Sequence, residues 1–188
     1  MAVSITPPAS PITGNRMLLR PVELSDVTEG YLQWMNDLQV TRFLECRFTI
    51  YSRDDLTEYV SRTRADPNTV FLAIVLREGL RHIGNIKLGP VDHHHLRGDV
   101  GLMIGDKTCW GKGYATEAIS AVRSYAFDVL GLHKLTAGAY ATNKGSIRAF
   151  QKAGFSIEGV RRAHYLSEGE YVDGILLGVV ADECTGTH

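Results

Sequence analysis

The amino-acid sequence predicts a mixed α/β domain, with seven strands and four helices built on a central, mostly antiparallel sheet. Three observations lead there. The stretches 71–78, 82–91 and 99–105 are rich in β-favouring residues and separated only by turn residues, so they form an antiparallel meander. Over 114–130, Ile119, Val122, Ala126, Val129 and Leu130 recur at helical spacing. That helix lies between the strand at 99–105 and another at 135–141, which makes one parallel crossover unit.

The elements follow in chain order. MLLRPV (17–22) is a short strand. LSDVTEGYLQWMND (24–37) is a helix with Ser25 as its N-cap, because Leu24, Val27, Tyr31, Trp34 and Met35 fall near one face. Residues 52–64 form a second helix, opened by Ser52 with Asp55 in a capping-box arrangement. Asp66-Pro67-Asn68 is a turn. In the meander, Val100, Leu102 and Ile104 share one face of their strand, and Asp99, Gly101 and Met103 the other. Gly131 stops the long helix. SIRAFQKA (146–153) is a short helix ended by Gly154. FSIEGVRRAHYL (155–166) and YVDGILLGVV (171–180) close the domain as a hairpin around 167–170.

Composition bounds the function. Hydrophobic residues are 44% and charged residues 22% of 188, a globular balance large enough for a real core. A formal net charge of −1 argues against nonspecific nucleic-acid binding. No apolar run approaches the ~20 residues of a membrane span. The Pro/Ser/Thr-rich start lacks a signal-peptide pattern, so 1–16 is expected to be a flexible tail, 17–181 one domain and 182–188 a C-terminal tail. Three scattered cysteines, Cys46, Cys109 and Cys184, point to free thiols in a reducing compartment and a cytoplasmic location.

The chemistry begins at CWGKGYATEAI (109–119). Gly111 and Gly113 either make a tight turn or leave backbone N–H groups open to an anion at a helix N-terminus. Two familiar anion loops fail here. A dinucleotide fingerprint needs a third glycine, where Thr116 stands, and an acid after the next strand, where the chain reads Tyr140-Ala141-Thr142. A Walker loop needs Gly-Lys-Ser/Thr, not Gly-Lys-Gly. What remains is a set of amides over 111–115 with the Lys112 ammonium, suited to a pyrophosphate.

After the next strand come Asn143, Ser146, Gly154 and Phe155 in the segment NKGSIRAFQKAGF. Together with LLRPVELSD and WGKGYATEA, this order resembles the GNAT superfamily of acetyl-CoA-dependent N-acetyltransferases, most nearly its ribosomal-protein (RimJ/RimL-like) branch, over about 17–181. The resemblance implies a GNAT fold whose mixed sheet splays in the middle. It departs from the family at Thr108, where Gln or Arg is common, leaving Lys107 or Lys112 to compensate.

The resemblance further implies acetyl-CoA as co-substrate, its pyrophosphate on Trp110, Gly111, Lys112, Gly113, Tyr114 and Ala115. Its extended arm lies along Leu102, Met103 and Ile104, with Asn143 bonding the arm and Lys144 near the phosphates. Asn143 equally suits an N-cap, and Lys144 a solvated surface position. Acetyl transfer needs a neutral amine, a stabilised oxyanion and a proton for the departing thiolate. A strand N–H near Leu102 to Ile104 serves the oxyanion. Ser146 is the proton donor for the thiolate, whose thiol has a pKa of about 8.5; its competing reading is a helix-start serine. An alkyl amine of pKa about 10 needs a base, and Asp99 is the first candidate. Glu117 is more simply a partner of the helix dipole.

The acceptor is expected to meet Asn36, Arg42, Glu45, Arg47 and Tyr51 in the linker between the first two helices, and His164 and Tyr165 on the final hairpin. Trp34 and Phe43 read as core, and Cys109 as a packed thiol. His93, His94 and His95 are consecutive, which rarely converges on one ion, so no metal is expected. The acceptor is a small-molecule amine (an amino sugar, its nucleotide conjugate or a polyamine) or a protein N-terminus. No nucleic-acid or membrane partner is expected, and a homodimer through a sheet edge is in keeping with the class. The competing class is a non-catalytic CoA-binding sensor or scaffold.

Overall fold

A computed structural model describes residue 5 and residues 7–181. The expected C-terminal tail over 182–188, with Cys184, lies outside the described residues, as do 1–4 and 6. Within the expected N-terminal tail, Ile5 is buried in the core, and Ile12–Thr13 (β1) pairs with Met17–Pro21 (β2).

Three helices follow β2, the first and third packed on one side of the sheet. The first is Glu29–Asn36 (α1), shorter than the sequence implied. Its N-cap is Thr28, whose hydroxyl accepts the Tyr31 N–H, not Ser25. Ser25 sits in a separate 3₁₀ turn, Leu24–Asp26, pinned by a bidentate Arg20–Asp26 pair. A single helical turn, Leu38–Thr41 (α2), starts the linker, and Arg53–Ala65 (α3) ends it. Here the cap is the expected one. The Ser52 hydroxyl accepts the Asp55 N–H while the Asp55 carboxylate accepts the Ser52 N–H. Ser52→Ala is expected to cost about 1 kcal/mol, seen as a lower urea midpoint at unchanged m-value.

The meander is Val70–Leu76 (β3), His82–Asp92 (β4) and Arg97–Ile104 (β5). The helix Tyr114–Ser124 (α4), continued by a π-turn over Tyr125–Val129, crosses to Lys134–Tyr140 (β6). Gly131 follows at φ 66°, the left-handed stop that glycine takes most easily. Lys144–Lys152 (α5) leads to the long hairpin Ser156–Ser167 (β7) and Glu170–Val180 (β8).

The sheet has eight strands in the order β1-β2-β3-β4-β5-β6-β8-β7. β5–β6 is its one parallel pair among the described strands, as the crossover pattern implied. The strand count exceeds seven because β1 is too short to show periodicity, and α2 adds a fifth helix for the same reason. Burial divides along strand alternation. Met17, Ile74, Ile86, Val100, Ile119 and Phe150 pack between the sheet and α4/α5. Tyr31, Met35, Leu56, Val60, Phe71 and Ala73 pack between the other face and α1/α3. Leu102 and Ile104 join the first layer and Met103 the second, so the predicted two faces of β5 hold.

Candidate active site

The site forms where β5 and β6 part. Their ladder contains only Arg97↔Lys134, Gly98↔Leu135 and Asp99↔Thr136, and stops there. Beyond it β5 keeps its antiparallel pairing with β4, so its other edge faces a gap. The Gly105 N–H donates to the Ile83 carbonyl of β4 at 2.8 Å, so the Ile104 carbonyl of the same trans peptide points into the gap. Alternation then turns the main chain of Leu102 and Ile104 to the gap and that of Met103 to β4. Of the three predicted arm-binding residues, Leu102 and Ile104 therefore present backbone. The Ile104 carbonyl is already taken by the Trp110 indole N–H at 2.7 Å. This bond ties the start of the glycine loop to the strand.

Gly111 and Gly113 have φ of 72° and 84°. Gly113 is the N-cap of α4 and supplies no side-chain cap. The first-turn amides of α4 therefore keep their donors facing outward at the positive end of the helix dipole. A Cβ at Gly111 would meet nothing within 4 Å, so the loop surface is open at that point. Sequence reading missed what holds the loop. Arg16 donates to the Lys112 carbonyl, forms an ion pair with Glu117 and lies 4.6 Å from the centroid of the Tyr114 ring. Glu117 is thus a brace through Arg16. The two are 101 residues apart, so no local pattern marks the pair.

A cavity of about 810 Å³ runs from this loop along the gap, within the range of ligand sites. One wall is Trp110, Gly111, Gly113, Tyr114, Ala115 and Thr116. The floor is Leu102, Met103 and Ile104, with buried Cys109 beside them. The opposite wall is the start of α5. Asn143 Oδ1 accepts the Ser146 N–H at 3.1 Å and caps α5, which leaves its amide N–H₂ for a ligand. Both readings of Asn143 are compatible. Ser146 lines the cavity, and its hydroxyl has no hydrogen-bond partner among the described residues. The roof is the linker, through Gln39, Val40, Arg42, Phe43 and Leu44. Phe43 therefore faces the cavity, while Trp34 packs with the α1/α3 core over Gly105.

The cations differ from expectation. Lys107, Lys112 and Lys144 do not line the cavity; Arg42, Arg148 and Lys152 do. Lys107 Nζ is bound to Asp37 at 2.6 Å and to Gln39 at 3.1 Å, strapping the linker to the loop. Arg148 and Lys152 stand one helical turn apart on the α5 stripe that begins at Gly145. The same stripe carries Ala149, and helical spacing from Gly145 gives both cations.

The acceptor-side residues sort into two groups. Asn36 and Tyr51 are structural: the Asn36 amide pairs with the Tyr51 main chain in both directions. Arg47 and Glu45 meet at Tyr140, whose hydroxyl donates to Glu45 and accepts from Arg47, while Arg47 also donates to the Leu166 carbonyl. Arg42 stacks on the Phe43 ring at 4.3 Å. Tyr165 stacks on Tyr140 at 4.0 Å between centroids, with His164 edge-on beside it. Asp99 stands on the face away from α4/α5, half-buried, with no hydrogen bond or ion pair among the described residues. Burial pushes its carboxyl up to about 6, partly offset by the charge of Lys87. It lies below the opening of the gap rather than on the cavity lining. Of the histidines, His93 bonds Asn68 Oδ1 at 2.7 Å and the main chain of His94 and His95 bonds Asp92, which fixes them as a turn.

A helix start without a side-chain cap, opening into a strand gap beside a free hydroxyl, can seat a phosphate-bearing carrier. Comparison with known proteins gives the class its family. Residues 16–156 match the family described as acetyltransferase (GNAT) domain. A probable N-acetyltransferase, YjcK of Bacillus subtilis, is 32% identical over 176 residues, covering 90% of this chain and 96% of that protein. The fold is shared with Vibrio cholerae spermidine N-acetyltransferase in complex with CoA and spermine (TM-score 0.80, 20% identity, 89% and 97% of the two chains). It is also shared with Mycobacterium smegmatis RimJ in complex with CoA-disulfide (TM-score 0.78, 18% identity, 94% and 92%). The chain belongs to the GNAT acetyltransferase family and is an acyltransferase of that family.

Proposed function

We propose that this chain transfers the acetyl group of acetyl-CoA directly to a primary amine, borne by a small molecule (amino sugar, nucleotide-linked amino sugar or polyamine) or by a protein N-terminus. The reading takes 17–181 as one catalytic domain of the RimJ/RimL-like kind, acting in the cytoplasm without a metal. The observation that carries it is the uncapped start of α4 behind two left-handed glycines, at one end of a cavity that leads to the strand gap.

The residues fit the donor. A side chain at Gly111 would project into the open surface where a diphosphate is to lie, and the α4 amides supply donors for it. Leu102 offers unpaired strand-edge groups to an amide-bearing arm, and the Asn143 amide adds a donor. When bound, acetyl-CoA supplies an acetyl group activated as a thioester. Asp99 takes the proton that the amine sheds as nitrogen bonds the acetyl carbon. Ser146 gives its hydroxyl proton to sulfur as the carbon–sulfur bond breaks, and regains one from solvent. The Leu102 or Ile104 N–H faces the carbonyl oxygen while it carries charge.

Calorimetric titration with CoA and a thiol-release assay with acetyl-CoA against amine classes test the reading; absence of CoA binding to the folded protein removes it. Ser146→Ala is expected to lower kcat about 10²-fold. The Kd for acetyl-CoA stays within about threefold, because the cap on α5 uses the main-chain N–H of residue 146, which alanine keeps.

A further inference from the structure

Among the described residues, no aspartate or glutamate lines the cavity along the strand gap. Three cations do: Arg42 on the roof, and Arg148 and Lys152 on α5. The Arg42 guanidinium lies on the Phe43 ring. The side chains of Arg148 and Lys152 have no hydrogen bond, ion pair or ring contact among the described residues. They stand four residues apart, the spacing at which two like charges on a helix repel each other. The rest of that wall, Asn143, Gly145, Ser146 and Ala149, carries no charge. The two cations therefore form a positive pole with no counter-charge supplied by the cavity itself.

This pole is rigidly placed and lies apart from the start of α4. The helix that carries it is anchored by buried Ile147, Ala149 and Phe150. Its end is fixed to α4, because the Arg123 guanidinium donates to the Ala153 carbonyl at 2.6 Å. Arg123 also comes so close to Gly154 that an added Cβ would sit 2.5 Å from its Nη1. Lys152 is six residues beyond Ser146, so it stands about 9 Å further along the α5 axis, at about 1.5 Å per residue. The amides of α4 serve one diphosphate. CoA bears a further anion, the 3′-phosphate of its ribose, a monoester close to doubly charged at pH 7. The lysines of the glycine loop do not meet it: Lys107 is bound to Asp37 and Gln39, and Lys112 is not on the cavity lining.

We propose that Arg148 and Lys152 form a separate seat for the ribose 3′-phosphate of CoA, and that this seat sets which thioester carriers the protein accepts. This rests on the acetyl-transfer reading and adds the selectivity for the donor. Arg148 offers a planar fork to two phosphate oxygens, and Lys152 a point charge to the third. A phosphopantetheine arm on a carrier protein has the same thiol arm and a phosphate, but no ribose 3′-phosphate. It therefore lacks the group that the seat reads, and the acetyl donor is free CoA.

Calorimetry with CoA and with 3′-dephospho-CoA tests this on the wild type, R148Q, K152Q and the double variant. Both positions are exposed and glutamine is a good helix former, so the fold is kept. The wild type is expected to bind CoA at least about 30-fold more tightly than dephospho-CoA. Each single variant should weaken CoA about five- to tenfold and leave dephospho-CoA within about twofold of its wild-type affinity. The double variant should bring the two ligands within about threefold of each other. Near-equal affinities in the wild type overturn the seat. Equal losses for both ligands in the variants overturn it too, because they place the two cations on the diphosphate instead. A wild type that binds neither ligand removes the acetyl-CoA reading itself, whereas one that binds both alike removes the seat alone.

Discussion

Gly113→Val is expected to raise the Kd for acetyl-CoA at least about 100-fold while leaving the fold in place. Two effects act in the same direction. At φ 84° an L-residue with a branched Cβ is strained by about 1–2 kcal/mol, and relief of that strain turns the first amides of α4 away from their common direction. The new Cβ also lands 3.5 Å from an Arg16 guanidinium nitrogen, so its methyl groups press on a residue that braces the loop. Calorimetry with acetyl-CoA reads the first consequence and a denaturant melt the second; the stability loss should stay near the strain energy, because α4 remains packed through Ala118, Ile119 and Val122. Gly111→Ala is the informative companion. Its Cβ meets no protein atom within 4 Å, so any loss of affinity beyond the backbone strain reports contact with the bound diphosphate itself. An unchanged Kd in Gly113→Val would mean that the uncapped helix start holds nothing.

The same loop shows why part of this protein was legible in its sequence. Ser52 with Asp55, the Gly111/Gly113 pair and the apolar stripe through Ile119, Val122 and Ala126 each act within a few residues, so pattern alone located them; Val129, expected on the same stripe, is turned to the exposed side by the π-turn. Strand alternation placed Asp99, Gly101 and Met103 on one face of β5, and the parallel crossover followed from the order of elements. What escaped was set by distance along the chain. Arg16 reaches Glu117, Tyr140 joins Glu45 and Arg47, and Lys107 meets Asp37 only after folding brings them together. Each partner looks like an ordinary charged or aromatic residue in its own neighbourhood. The first helix was overextended because 24–37 keeps an apolar rhythm, while the half-buried Arg20–Asp26 pair bends Leu24–Asp26 into its own turn. Lys107 was read as a phosphate ligand because a loop lysine beside a glycine turn has the right charge. Its actual neighbours neutralise it, and the cations that line the cavity come instead from the linker and from α5.

Asp99→Asn is expected to lower kcat about 10²-fold or more and, at the same time, to stabilise the protein at pH 7. The two signs have one cause. Burial holds the Asp99 carboxyl at about 6, against 3.8 for an ordinary aspartate, and the charge of Lys87 opposes the shift. Between those values the folded state binds more protons than the unfolded state, so stability falls as pH rises from about 4 to about 6 and stays low above that. The deficit at neutral pH is at most about 3 kcal/mol, from about 1.4 kcal/mol per pH unit. Asparagine has nearly the same shape and never ionises, so it removes that deficit; urea melts at pH 7 should show a gain that vanishes near pH 4. For catalysis the raised value is useful, because a carboxylate that is ionised at pH 7 yet close to its titration range accepts a proton more readily than an ordinary one. The wild-type kcat/KM should therefore lose about tenfold between pH 7 and pH 5, with its midpoint near 6, and Asp99→Asn should flatten that limb. A base role requires both results together. A variant that gains stability but keeps its acid limb would leave Asp99 as a buried carboxylate with no part in proton transfer, and the base would have to be sought among solvent-linked groups along the gap.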